Sequence, residues 1–166
     1  MAPEPVRAFV SVGSNIEPAA HIRDALDALD RRYGPLAASP VYRSAAVGFE
    51  GADFLNLVVA FTTADPPERI VDALHGIEAA GGRERDGPRF SDRPLDLDLI
   101  LYGEAVIARP GLEIPRRDVD AYAFVLWPLA DLAPGTRHPR SGETFAELRR
   151  RFPAPPAREL ERVEID

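Results

Sequence analysis

Cysteine is absent from the chain, and so is lysine: all 20 of its basic residues are arginine. Without cysteine there is no disulfide, no zinc–thiolate site and no cysteine nucleophile. Without lysine there is no Walker-A lysine, no protein-kinase strand lysine and no Schiff base. A genome rich in arginine codons accounts for the bias, but the chemical consequence stands. Any phosphate recognition must use arginine, backbone amides or a metal. Long apolar runs are also missing: none approaches the roughly 20 residues that span a bilayer. Met1-Ala2-Pro3-Glu4-Pro5 lacks the basic start and apolar stretch of a signal peptide. The expectation is a soluble, cytoplasmic protein with no membrane partner. Basic charge is in short supply, with 27 acidic residues against 20 basic ones and a net charge of −7. That balance argues against general nucleic-acid binding, which needs a basic field along the phosphates.

What is present suits a globular protein with a real core: 166 residues, 45% hydrophobic and 28% charged, enough for one domain over 1–166 and little more. No internal repeat or low-complexity linker is visible. Val6 to Val12 reads as a strand, and Gly13-Ser14-Asn15 as the turn after it. A helix follows from about Pro18 to Arg32 on the stripe Ile22, Leu26, Leu29, stopped by Tyr33-Gly34-Pro35. Leu36 to Arg43 reads as a second strand, and a glycine-containing loop leads to a long third one, Phe54 to Thr62, antiparallel to it. Asp65-Pro66-Pro67-Glu68 starts a second helix, with Asp65 as N-cap and Ile70, Val71, Leu74 and Ile77 facing inward. Gly81-Gly82 ends it. An arginine-rich loop runs from Arg83 to Pro94. A strand over Leu95 to Tyr102 follows, then a shorter one near Val106, irregular turns and the apolar segment Phe124 to Leu132. A helix near Thr144 to Arg151 and a proline-rich tail, 152–166, finish the chain. The order β-α-β-β-α-β predicts an α+β, ferredoxin-like core with a mostly antiparallel sheet and helices packed on it.

The sharpest chemical feature is Leu95-Asp96-Leu97-Asp98-Leu99-Ile100-Leu101. Alternate side chains of a strand share a face, which puts Asp96 and Asp98 on one side, roughly 6.5–7 Å apart, and the leucines on the core side. Aspartate is disfavoured in strands, and like charges on one face repel, so a hard cation with phosphate oxygens is a natural compensation. Taken alone, the pattern equally fits a half-buried strand whose solvent face carries two aspartates. The preceding loop brings Arg83, Arg85, Arg89 and Arg93 to the mouth of that strand, and arginine forks suit polyphosphate oxygens. An ordinary charge-rich surface loop has the same composition. Phe54 and Asn56 share one face of the third strand, opposite Leu55, Leu57, Val59 and Phe61. They could stack on and read a flat heterocycle, or simply edge the core. His75 and Glu78 lie one turn apart on the second helix.

Together these residues resemble the 6-hydroxymethyl-7,8-dihydropterin pyrophosphokinases of folate synthesis. The likeness runs in order through Val10-Ser11-Val12-Gly13-Ser14-Asn15, Val41-Tyr42-Arg43-Ser44, Phe54-Leu55-Asn56, Ile77-Glu78 and Gly82-Arg83. It continues through Arg93-Pro94-Leu95-Asp96-Leu97-Asp98-Leu99-Ile100-Leu101-Tyr102-Gly103 and Phe124-Val125-Leu126-Trp127-Pro128-Leu129, covering about residues 7–135. The resemblance implies an ATP-dependent diphosphokinase that moves the β,γ-diphosphoryl group of ATP to the pterin's hydroxymethyl oxygen and releases AMP. It implies that Asp96 and Asp98 bind two Mg²⁺ ions, that Arg83 and Arg93 stabilise the transferring group, and that Arg85 and Arg89 contact phosphates. Phe54 and Phe124 would sandwich the pterin, Asn56 would read its edge, and backbone groups around Ser44 to Val47 would complete its hydrogen bonds. His75, Glu78 and Leu99 correspond to positions near the ATP, and the family usually works as a monomer. The chain departs from the family at Phe90-Ser91-Asp92, where tryptophan then Gly-Pro is common, and at Arg116, Arg117 and Tyr122, where histidine, tyrosine and arginine are usual. The competing readings are a diphosphokinase for a related pterin, and a non-catalytic ferredoxin-like module that binds nucleotide or metal.

Overall fold

The computed structural model describes residues 4–46, 51–81, 94–153, 155 and 159–165. The first strand, β1, runs Val6–Ser14 and is followed by helix α1, Pro18–Tyr33. Two short strands come next, β2 (Ala37–Ala38) and β3 (Val41–Ser44), then the long β4, Phe54–Thr63. Helix α2, Pro67–Ala80, precedes β5, Asp96–Tyr102. A hairpin of β6 (Ile107–Arg109) and β7 (Leu112–Ile114) leads to three helices: α3 (Asp118–Ala121), α4 (Ala123–Leu132) and α5 (Phe145–Arg151). A last strand, β8, covers Leu160–Val163.

The main sheet has the order β5-β1-β4-β3-β8, with β2 also on β4, and every pairing is antiparallel. Two βαβ units interleave, each leaving the place between its strands for a strand of the other. This is the expected ferredoxin-like arrangement. One face carries α1 and α2. Their buried stripes, Ile22, Ala25, Leu29, Tyr33 and Pro67, Ile70, Leu74, recur every three or four residues, the spacing that keeps one helical face inward. They meet Val10, Val12, Leu57, Val59, Phe61, Leu97 and Leu99. Each fully buried aliphatic side chain there contributes about 1.5–3 kcal/mol.

Several local expectations are corrected. The strand expected over Leu36 to Arg43 is broken at Ser39-Pro40, because proline has no N–H for the ladder; Ser39 bridges the gap, its N–H donating to the Val58 carbonyl and its Oγ accepting from the Val58 N–H. The N-cap of α2 is Pro66 rather than Asp65. Asp65 instead accepts from the Tyr33 hydroxyl, and its carbonyl accepts from Tyr102. The tail contains β8, which gives β3 a second neighbour.

The larger correction concerns the face that bears the aspartates. It was expected to be free of core, yet α4 covers much of it, packing Val125, Leu126 and Leu129 with Phe9, Val58, Ala60 and Ile100. An apolar segment with hydrophobic residues on nearly every side belongs between two layers, here the sheet and α5. Leu101 also lies on this face rather than with the other leucines. The β1–β5 register shifts after Phe9: Phe9 is opposite Leu101 but Val10 is opposite Leu99, leaving Ile100 as an extra residue. Such a bulge reverses the alternation beyond it. The Ile100 carbonyl accepts from the Arg116 N–H at 3.1 Å.

Candidate active site

Three neighbouring strands build a row across one end of the α4-covered face. Asn56 of β4 lies opposite Gly13 of β1, and Gly13 lies opposite Asp96 of β5; one step along, Val58, Ser11 and Asp98 line up the same way. On the other side of β4, Tyr42 is opposite Asn56 and Ser44 opposite Phe54. Two strand spacings separate Asn56 from Asp96, roughly 10 Å. A Cβ built on Gly13 would stand 3.2 Å from Asn56 Oδ1 and 3.9 Å from the Phe54 ring. The missing side chain therefore leaves a floor between the amide and the carboxylates. A glycine inside a strand often marks such a close approach.

The amide end is rigid. Asn56 is only 7% exposed, and its Nδ2 donates to Ser44 Oγ at 2.8 Å, which turns Oδ1 toward Gly13. Behind it the Tyr42 hydroxyl donates to Asp131 of α4, and Arg149 of α5 holds the other oxygen of that carboxylate at 2.7 Å. This chain of contacts ties β3 to α4, whose first turn carries Phe124. The Phe124 ring is stacked with Tyr122, centroids 4.9 Å apart.

The carboxylate end is electrostatically loaded. Burial first, then the charge of Asp96, push the Asp98 carboxyl up to about 7, with Asp118 and Glu78 adding to the rise and Arg116 opposing it. Arg116 reaches to 3.9 Å from Asp98 and 3.7 Å from Asp118. Two neighbouring residues anchor the chain segments around the site. Ser14 Oγ donates to the Pro94 carbonyl at 2.5 Å, just ahead of β5. Asn15 Nδ2 donates to the Ala52 carbonyl at 3.1 Å, just ahead of β4.

Of the residues expected from the sequence, Ser44, Phe54, Asn56, Asp96 and Asp98 gather at this end of the sheet, and Phe124 belongs to the helix laid over the same face. Val47, Arg83, Arg85, Arg89 and Arg93 lie outside the described residues. The other three are elsewhere. Leu99 points into the α1–α2 core, His75 is half-buried on α2, and Glu78 is 0% exposed, its Oε2 accepting from the Leu97 N–H at 2.8 Å. Glu78 thus satisfies the outer edge of β5 from below. Its signal in the sequence is its place four residues after Leu74 on the buried stripe of α2. From the sequence, Gly13, Ser14 and Asn15 were legible only as a turn and as part of the family motif, Arg116 only as a departure from the family, and Asp118 not at all. Gly13 through Asn15 read as a turn, whereas β1 continues through Ser14.

Comparison with known proteins adds a second line of observation. The family model described as 7,8-dihydro-6-hydroxymethylpterin-pyrophosphokinase matches residues 9–134. A 2-amino-4-hydroxy-6-hydroxymethyldihydropteridine pyrophosphokinase of Pseudomonas aeruginosa is 43% identical over 146 residues, 86% of this chain and 89% of its relative. A protein of the same name from Haemophilus influenzae is 32% identical over 151 residues, 89% of this chain and 93% of the relative. Among solved structures, a Plasmodium falciparum HPPK-DHPS crystal structure superposes with a TM-score of 0.71 at 14% identity, over 88% of this chain. The present chain spans 44% of that longer one, and the likeness concerns the fold alone.

Proposed function

Because the chain belongs to the 7,8-dihydro-6-hydroxymethylpterin-pyrophosphokinase family, we propose that it transfers the diphosphoryl group of ATP to the hydroxymethyl oxygen of 6-hydroxymethyl-7,8-dihydropterin. The products are AMP and the pterin diphosphate, an intermediate of folate synthesis. The observation that carries this reading is the row Asn56–Gly13–Asp96. It joins an oriented amide, an open floor and a carboxylate pair in one continuous surface.

Asp96 and Asp98 fit Mg²⁺. That ion is typically held by one or two carboxylates together with substrate phosphates and water, not by an all-protein cage. Among the described residues no group of three or more His, Asp or Glu side chains converges as a cage would. The raised proton affinity of Asp98 fits a site whose two negative charges await a cation. Two Mg²⁺ ions, when bound, would supply charge neutralisation for the triphosphate and the acceptor hydroxyl. The chain's own part is positioning. Phe54 and Phe124 flank the pterin ring, Asn56 presents Oδ1 to the ring's N–H edge, and Ser44 fixes which end of the amide faces it. Backbone groups from Ser44 to Val47 complete the ring's hydrogen bonds. Arg83 and Arg93 offset charge on the transferring group, and Arg85 and Arg89 bind phosphates. His75 borders the nucleotide, while the Leu99 side chain packs into the α1–α2 core and Glu78 acts beneath β5 by shaping the strand. No general base is required, since phosphoryl transfer depends mainly on alignment and charge neutralisation. In this reading the enzyme acts as a cytoplasmic monomer; among the described residues no helix is long and apolar enough to cross a membrane.

The test is incubation with ATP, Mg²⁺ and 6-hydroxymethyl-7,8-dihydropterin, followed by identification of the nucleotide product. AMP that forms only when pterin and metal are both present supports diphosphoryl transfer. ADP, or no turnover at saturating pterin, refutes it.

A further inference from the structure

The protein contains two kinds of arginine–carboxylate contact. Arg149 meets Asp131 at 2.7 Å, and Arg151 grips Glu143 with two hydrogen bonds of 2.8 and 2.7 Å. These are charge-assisted bonds of full strength. Arg116 belongs to the looser kind with Arg32, Arg69 and Arg117, but it is the least exposed of the four. Its nearest carboxylate approaches are 3.9 Å to Asp98 and 3.7 Å to Asp118, beyond hydrogen-bond length. Its Nε is buried with no hydrogen-bond partner. Leaving such a donor unpaired is destabilising by about 1–3 kcal/mol. The backbone is nonetheless fixed, because the bulge in β5 turns the Ile100 carbonyl out to the Arg116 N–H. Here the fold holds a cation beside a carboxylate pair without letting it bond either one.

We propose that Arg116 is a resident counter-ion of the Asp96–Asp98 pair, seated between Asp98 and Asp118 so that a divalent cation can displace it. The proposal rests on the metal-site reading above and extends it. In the metal-free protein the guanidinium offsets part of the repulsion between the two aspartates. When a metal arrives, like charge drives the guanidinium away from Asp98, and Asp118 offers it a second seat on the same side of the site. Loose contacts make the exchange inexpensive: no strong hydrogen bond has to break. Arg117, the next residue, faces elsewhere: it is largely exposed, with its guanidinium 3.8 Å from Glu113 on the β7 side.

A resident competitor weakens metal binding in the absence of nucleotide, and that is measurable. The probe is Mn²⁺ alone, followed by electron paramagnetic resonance or calorimetry on nucleotide-free protein, comparing wild type with Arg116→Gln, Arg116→Lys and Asp98→Asn. Removing one positive charge near a bound dication tightens Mn²⁺ binding at least about threefold, the effect left even when screening is as strong as in water. Arg116→Lys keeps the charge and stays near wild type. Unchanged or weaker binding in Arg116→Gln, while Asp98→Asn loses the metal, overturns the counter-ion role and leaves the metal site standing. Wild-type Mn²⁺ binding in Asp98→Asn overturns the metal assignment itself, and the proposal with it. If Arg116→Gln does not fold, the wild-type protein still decides. Exchange of the Arg116 Nε–H with water, read by ¹⁵N NMR, is expected to accelerate at least about tenfold on adding Mg²⁺, as a buried donor is released to solvent. No change in that rate refutes the displacement.

Discussion

Replacing Asp98 by asparagine should make the metal-free protein more stable while abolishing its activity, and the two effects have the same origin. The Asp98 carboxyl moves from an ordinary 3.8 to about 7. A group whose pKa is raised by folding holds its proton more tightly in the native state. At acid pH it therefore causes no loss of stability. The penalty builds as pH climbs from 3.8 toward 7 and is complete by about pH 8. At about 1.4 kcal/mol per pKa unit the full shift corresponds to roughly 4 kcal/mol. The Asp98 side chain is 28% exposed, and water screens part of this, so about 2 kcal/mol is the expected effect. Asparagine has the same shape and never ionises. In EDTA at pH 8, Asp98→Asn should melt about 4–8 °C above wild type, at 2–4 °C per kcal/mol for a chain of this size. At about pH 3.5, below the ordinary carboxyl pKa, the gap should shrink to near zero. Turnover with ATP, Mg²⁺ and pterin should fall by a factor of at least about 100, as when one electrostatic contact in a transition state is removed. The assay is differential scanning calorimetry at both pH values beside an AMP-release assay. Equal melting temperatures at pH 8, or a variant less stable than wild type there, would show that Asp98 carries no electrostatic load and refute the reasoning.

Other changes separate the parts of the site. Gly13→Ala places a methyl 3.2 Å from Asn56 Oδ1; the KM for pterin should rise about tenfold, with a stability change near 1 kcal/mol in urea titration. Ser14→Ala removes the bond to Pro94, and should lower stability by about 1 kcal/mol while reducing kcat more than KM for pterin. Glu78→Leu leaves the Leu97 N–H without its acceptor, and should destabilise by about 1–3 kcal/mol in chemical denaturation. Burial, and after it the bond to Asp131, push the Tyr42 phenol up to about 12. Its contribution should be intact below pH 10 and decline as pH rises from 10 toward 12. Tyr42→Phe should remove that alkaline component from a series of melts and weaken the α4 attachment.

Much of the architecture was legible from periodicity. The stripes of α1 and α2, the alternation of β1 and β4, and the element order each rest on local rules of helix and strand geometry. Misread segments failed for identifiable reasons. Pro40 broke a strand whose β propensity was otherwise good, and Thr144 with Glu147 formed the capping box of α5, whereas the Asp65-Pro66-Pro67-Glu68 segment did not form one at α2. Asp65 looked like a cap because its position was right, but Tyr33 and Tyr102 claimed it from elements distant in sequence. The candidate site was legible as a set of residue types, since alternation alone puts Asp96 with Asp98 and Phe54 with Asn56. Nothing local indicated that these pairs would share one face, or that Gly13 would lie between them.

By itself, then, the amino-acid order determined the class of fold, the two carboxylates on one side of β5 and, through the absence of lysine and cysteine, the chemistry open to the protein. Those properties depend on spacing along the chain and on which side chains exist at all. The tertiary structure decided the rest: that β1 runs between β4 and β5 and joins amide to carboxylate, that Glu78 serves the strand from below, and that a bulge at Ile100 sets Arg116 against Asp98. Register, bulges and the proximity of distant charges arise only when strands pair and helices pack, because each is a relation between segments that no single segment contains.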